Sequence, residues 1–276
     1  MRCSSRSTAF CSLALLPLVL ASPVLGDEEP SEGWAAATAA DGARLFRASC
    51  AGCHGVRGDG KSDVALALSP PPRNLTRGEY RFRTTASGTL ALREDLLRTL
   101  ERGLVGTAMP SWKEQLDGRA LRSLVLFLET LSPRFTEELR LSEDVLTIAA
   151  PEPWAPAPET LTQGKALYEK MKCGQCHGKD GRGDGTAADT HKNSDGSPSH
   201  VFDFTTGLYK GGAAPSDVYR TFMTGLDGSP MPSYAPSLPD EAERWALVAY
   251  CLSLSRARGL WFYLSERPTW TDPATR

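Results

Sequence analysis

Two short stretches of this 276-residue chain concentrate its chemically capable side chains. "CAGCH" brings Cys50, Cys53 and His54 together, and "CGQCH" does the same with Cys173, Cys176 and His177. Two thiols and an imidazole so close in sequence could ligate zinc, cycle as a redox dithiol, or hold a porphyrin covalently. On a helical turn, cysteines at i and i+3 face one side, with a histidine at i+4 beside them. Thiols so placed can add across both vinyl groups of one haem while the imidazole reaches its iron, which is why CxxCH is the haem c attachment pattern. At this chain's Cys and His frequencies about 0.003 chance matches are expected; two occur.

The competing chemistries account for less. A four-thiolate zinc site could use Cys50, Cys53, Cys173 and Cys176 together, but it leaves His54 and His177 idle. A dithiol oxidoreductase needs a βαβ context that this sequence lacks. Disulfides give no reason for a histidine at the fifth position twice. The expected cofactors are therefore two covalently attached haem c groups, each with its iron. Met109 and Met231 supply the other axial ligand in the shared frame G-x-x-M-P-S-aromatic, 55 residues after His54 and 54 after His177. A soft thioether suits haem iron, and His/Met ligation raises its potential. A lone methionine is usually core filler; here recurrence at the repeat offset outweighs that. Met171 and Met223 have no methionine counterpart and are expected to pack. His191 and His200 read as exposed loop residues, and Cys251 as a core thiol.

The elements that must position these residues form a repeat. "DLLRTLERGLVGTAMPSW" from Asp95 matches "DVYRTFMTGLDGSPMPSY" from Asp217 at an offset of 122, as "GARLF" at Gly42 matches "GKALY" at Gly164. The CxxCH units and the closing segments "LVLFLETLS" and "LVAYCLSLS" fall at 123. Each unit opens with a helical pattern before its cysteines. Each closes with another: Leu121, Leu124, Val125, Leu128 and Leu131 in the first, and Leu247, Tyr250, Cys251 and Leu254 in the second. Gly-, Pro- and Thr-rich loops lie between, with a short helix before each Met. No alternating strand pattern occurs, so the expected class is all-α: two tandem helical domains at 38–135 and 161–258. They are joined by a linker at 136–160 whose "PEPWAPAPET" reads as a semi-rigid spacer. A C-terminal tail, 259–276, contains "LWFYLSERPTW", aromatic enough to cover a neighbouring domain or a partner.

Residues 1–26 read as a signal peptide: Arg2 and Arg6, an apolar run from Phe10 to Leu20, then small residues up to Gly26. The run is short and proline-interrupted for a membrane span. Its removal takes two arginines and no acids, so the net charge goes from −2 to −4. That weak acidity argues against nucleic acid. The composition, 41% hydrophobic and 23% charged, is that of a globular protein.

Taken together, CxxCH twice and MPS-W/Y twice make the chain resemble a dihaem c-type cytochrome built from two class I cytochrome c domains. That resemblance implies first and last helices crossing over each haem edge, and Trp112 and Tyr234 near the haems. It also implies a periplasmic electron carrier rather than an enzyme, serving redox protein partners through two His/Met-ligated irons. A permanent subunit of a membrane respiratory complex is the related alternative. A dihaem peroxidase-like enzyme is a further one, though it calls for different surroundings at its two irons, and this sequence offers near-equal ones. Arg73, Arg81 and Arg83 are candidate propionate partners, with at least one expected to be a solvated loop residue. Lys165, Lys170, Lys172 and Lys179, clustered around the second CxxCH, could steer an acidic partner.

Overall fold

A computed structural model of the chain describes residues 30–138 and 145–255. The signal peptide and the aromatic tail of the sequence reading lie outside these. Among the described residues the architecture is helical, with two isolated β-bridges and no strand. In the first unit, α1 (Pro30–Ala35) and α2 (Ala39–Leu45) lead through a wider turn (Phe46–Cys50) into α3 (Ala51–His54). Helices α4 (Arg93–Arg102), α5 (Gly118–Thr130) and the single turn α6 (Arg134–Glu137) follow. The second unit repeats the order with α7 (Pro158–Lys170), α8 (Gly174–His177), α9 (Pro215–Thr224) and α10 (Glu241–Ser253).

Each unit is built on a crossing of its first long helix with its last. The apolar stripes predicted for α5 and α10 lie in the core: Leu121, Leu124, Val125 and Leu128 are buried, as are Leu247 and Cys251. Side-chain oxygens at the helix starts satisfy otherwise orphaned amides, Asp117 accepting from Ala120 N (2.8 Å) and Asp240 from Glu243 N (2.9 Å). The crossing is close because glycine stands at its centre. A Cβ at Gly42 would lie 1.9 Å from Ser123 O, and one at Gly164 2.0 Å from Ala246 O. Aromatic pairs flank it, Phe46 on Phe127 (5.1 Å) and Tyr168 on Tyr250 (5.3 Å).

The step in repeat offset from 122 to 123 has a local cause. Phe46 O accepts from Ala51 N, and Tyr168 O accepts from Cys173 N. The extra residue of the second unit is absorbed at Lys172, the one described non-glycine residue with positive φ (59°).

The two units pack on each other. Arg102 of α4 pairs with Asp217 of α9 at 3.2 Å, and Ser194 Oγ donates to Glu79 at 2.6 Å. Arg83 is 0% exposed. It donates to Thr224 O at 2.9 Å, bonds Ala86 O at 3.2 Å and pairs with Asp227 at 2.7 Å. It is therefore neither a solvated loop residue nor a group facing a cofactor; it plugs the seam between the units. The proline-rich segment also packs. Leu146 N donates to Thr84 O of the first unit (2.7 Å), while Leu146, Ile148, Ala150 and Trp154 lie on the second core, Trp154 edge-on to Trp245.

Candidate functional site

A cavity of ≈ 240 Å³ lies at the first unit and one of ≈ 210 Å³ at the second. Cys50, Cys53, His54 and Met109 all line the first; Cys173, Cys176, His177 and Met231 all line the second. The eight residues singled out by spacing thus gather in two sets of four, with the methionine brought back from beyond the short helix α4 or α9.

The histidines are held from behind. His54 Nδ1 is 3.1 Å from Arg73 O, and His177 Nδ1 is 3.1 Å from Phe202 O. A carbonyl only accepts, so each Nδ1 carries the hydrogen and each Nε2 keeps its lone pair for a ligand. The carbonyl-bearing segments are fixed in turn, Leu75 N donating to Gly58 O and Phe204 N to Gly181 O, both at 2.7 Å. Burial pushes both imidazoles below the usual histidine range, which keeps them in the neutral, metal-ligating form. Directly after each histidine the chain turns at Gly55 and Gly178, whose φ of +77° and +80° a side chain would oppose.

The methionine loops are superposable in their bonding. Leu104 N donates to Met109 O and Leu226 N to Met231 O, both at 3.0 Å. Thr107 Oγ1 and Ser229 Oγ receive the amides of Met109 and Met231. The following serines tie the loop to the preceding helix, Ser111 donating to Glu101 O (2.5 Å) and Ser233 to Met223 O (2.6 Å). Trp112 and Tyr234 then line their cavities.

The thiols are free among the described residues. Cys50 is pushed up to about 11 by burial and then by neighbouring Cys53, and Cys173 to about 11 by burial. Both are protonated thiols at neutral pH. No group of three or more His, Cys, Asp or Glu among the described residues could hold a metal ion, so the four paired cysteines are not gathered into one zinc site.

The donor sets fit haem c, and so do the walls. Tyr80 Oη, Arg81 Nε and Trp112 Nε1 are buried at the first cavity without a hydrogen-bond partner. Orphaned buried donors cost about 1–3 kcal/mol each, and the propionate oxygens of a haem are acceptors of the needed kind. In the second cavity Tyr234 and the Cys173 thiol are neighbours, and His177 stacks on Phe204 at 4.5 Å. Cys251 is buried and lines this cavity where Leu128 lines the first. Arg73 and Arg81 line the first cavity as expected, whereas His191 and His200 are exposed but form part of a cavity rim. Spacing gave no sign of Phe82, Asn193 or Lys210, which line a cavity that belongs mainly to the other unit; only three-dimensional packing brings them there.

Comparisons with known proteins agree with this geometry. Residues 37–128 match the family model described as cytochrome C oxidase, cbb3-type, subunit III, and residues 161–255 match that described as cytochrome c. A cbb3-type cytochrome c oxidase subunit CcoP from Azospirillum brasilense is 30% identical over 96 residues, which cover 35% of this chain and 29% of that protein. The chain thus spans under a third of that relative's length. A solved structure from the Kuenenia stuttgartiensis reducing HAO-like protein complex is similar over 80% of this chain and 98% of its own, at 38% identity and a TM-score of 0.74.

Proposed function

We propose that this chain, which belongs to the c-type cytochromes and carries two cytochrome c domains in tandem with two covalently bound haem c groups, relays electrons between periplasmic protein partners through two His/Met-ligated irons. Bound haem supplies a one-electron couple; the chain's residues hold and insulate it. Cys50 and Cys53, and Cys173 and Cys176, form the thioether links. His54 and His177 would ligate through Nε2, oriented by the Arg73 and Phe202 carbonyls, and Met109 and Met231 would supply the second protein ligand of each iron. The α2–α5 and α7–α10 crossings exclude water behind them. With a histidine and a methionine both available to each iron, outer-sphere electron exchange would be the remaining chemistry, which favours a carrier over a peroxidase-like enzyme.

One observation carries the reading: each cavity wall contains its unit's CxxCH and the one methionine that recurs at the repeat offset. Likeness across nearly the full length of a chain from a reducing HAO-like complex favours a standing place beside a redox enzyme over free diffusion. Among the described residues no helix is long and apolar enough to cross a membrane. In matured protein, pyridine haemochrome should count two haems per chain. Met109→Ala and Met231→Ala should each remove half of the long-wavelength thioether-to-ferric-iron band and lower one potential. An unchanged spectrum in either variant would refute the methionine assignment. Co-purification with an oxidoreductase tests the standing complex.

A further inference from the structure

The two cavities are not separate rooms. Arg81, Phe82, His200 and Lys210 line both of them. Arg81 and Phe82 belong to the first unit, His200 and Lys210 to the second, so each site is completed by the other half of the chain. The partition is fixed in place from both sides. Phe82 lies against Gly211 so tightly that a Cβ there would sit 2.4 Å from its ring. The next residue, Arg83, is clamped by Thr224 O and Asp227. Arg81 Nη2 bonds Asn193 Oδ1 at 2.9 Å across the seam.

The partition is electropositive. Burial, then nearby Arg73, pushes Arg81 down to about 10, while burial and Arg81 depress Lys210. Among the described residues Asp195, held by Ser197 at 2.6 Å, is the carboxylate that bears on Arg81, and Glu79 nearby is engaged by Arg77 and Ser194. Arg81 Nε remains buried without a partner. Two part-buried cations at one partition, short of protein carboxylates, need anions from elsewhere.

We infer that Arg81 and Lys210 form a single carboxylate-binding wall shared by both haem sites, receiving porphyrin propionates from either side and tying the two reduction potentials together. The inference rests on the reading that each cavity holds a haem, and it adds that neither potential is set by its own domain alone. A positive charge favours the reduced iron, so its loss lowers the potential; acting from a common wall, it lowers both.

Spectroelectrochemical titration of the full, two-haem chain tests this. Arg81→Gln is expected to lower both reduction equilibria on the order of tenfold, which is ~59 mV for one electron. Lys210→Gln should repeat the pattern, and Arg81→Lys should restore most of it. Arg73→Gln, at a side chain that lines only the first cavity, should move one potential. The proposal is overturned if Arg81→Gln and Lys210→Gln move one potential each, or none. Should Arg81→Gln fail to mature, Lys210→Gln decides alone. The thioether band is recorded on the same samples; its loss would indict the axial ligands and leave the wall a separate question.

Discussion

The two cavities share a frame and differ in their furnishing. The glycines at the helix crossing, the carbonyl behind the histidine, and the bonds of the methionine loop recur almost distance for distance. At the positions following the shared Gly-rich turn, however, the first unit has Arg73 and Leu75 where the second has Phe202 and Phe204. One imidazole is therefore backed by an arginine's carbonyl, and the other lies against an aromatic cluster in which Phe202, Phe204 and Tyr209 touch. The rims differ as well: Val56 is 81% exposed beside the first CxxCH, and exposed Lys179 takes its place in the second. Duplication preserved what holds the cofactor and released what tunes it.

If the frame is shared, breaking it should hurt both halves alike. Gly42→Leu and Gly164→Leu each force a side chain into a backbone carbonyl, at a cost of at least ~3 kcal/mol. Thermal unfolding and haem content should fall comparably in both variants. A well-tolerated substitution at either glycine would mean that the crossings are not equivalent. A smaller effect separates the furnishings: Phe204→Leu copies the first unit's residue into the second and removes a ring stack worth ~0.5–1.5 kcal/mol. It should shift only the second potential, leaving the first in place; movement of both would deny that the stack acts locally. Smallest is the rim. Lys170→Ser with Lys179→Ser should flatten the salt dependence of electron exchange with an acidic partner without altering either potential, as read by stopped-flow at varied ionic strength. An unchanged salt slope removes those lysines from docking.

What the sequence makes legible follows from how local the cause is. The CxxCH turns, the i, i+3, i+4 stripes of α5 and α10, and the methionine frame are written within a few residues of each other, and the repeat doubles each signal. Arg83 is different. Its partners in the other unit lie about 140 residues away, and nothing in "YRFRTT" distinguishes it from Arg81, which lines the cavities. Arg83 shared the propionate candidacy of Arg73 and Arg81 yet lines neither cavity, because burial of a charged side chain is decided by what the other unit places over it. Lys210 and Asn193 escaped notice for the same reason, and so did the packing of Trp154, in a segment whose prolines suggested a spacer. Gly42 and Gly164 were visible as aligned letters, but their role at the crossing depends on how closely two helices approach.

Arg83 also bears on whether the protein can be divided. The carbonyl groups it caps, at Thr224 and Gly225, terminate α9 and begin the loop that presents Met231. A fragment holding only the later half would lose the guanidinium cap on those oxygens and its partner to the Asp227 carboxylate, next to its own Met231 loop. The earlier half, which leaves the ribosome first, thus acts as a mould against which its successor is cast.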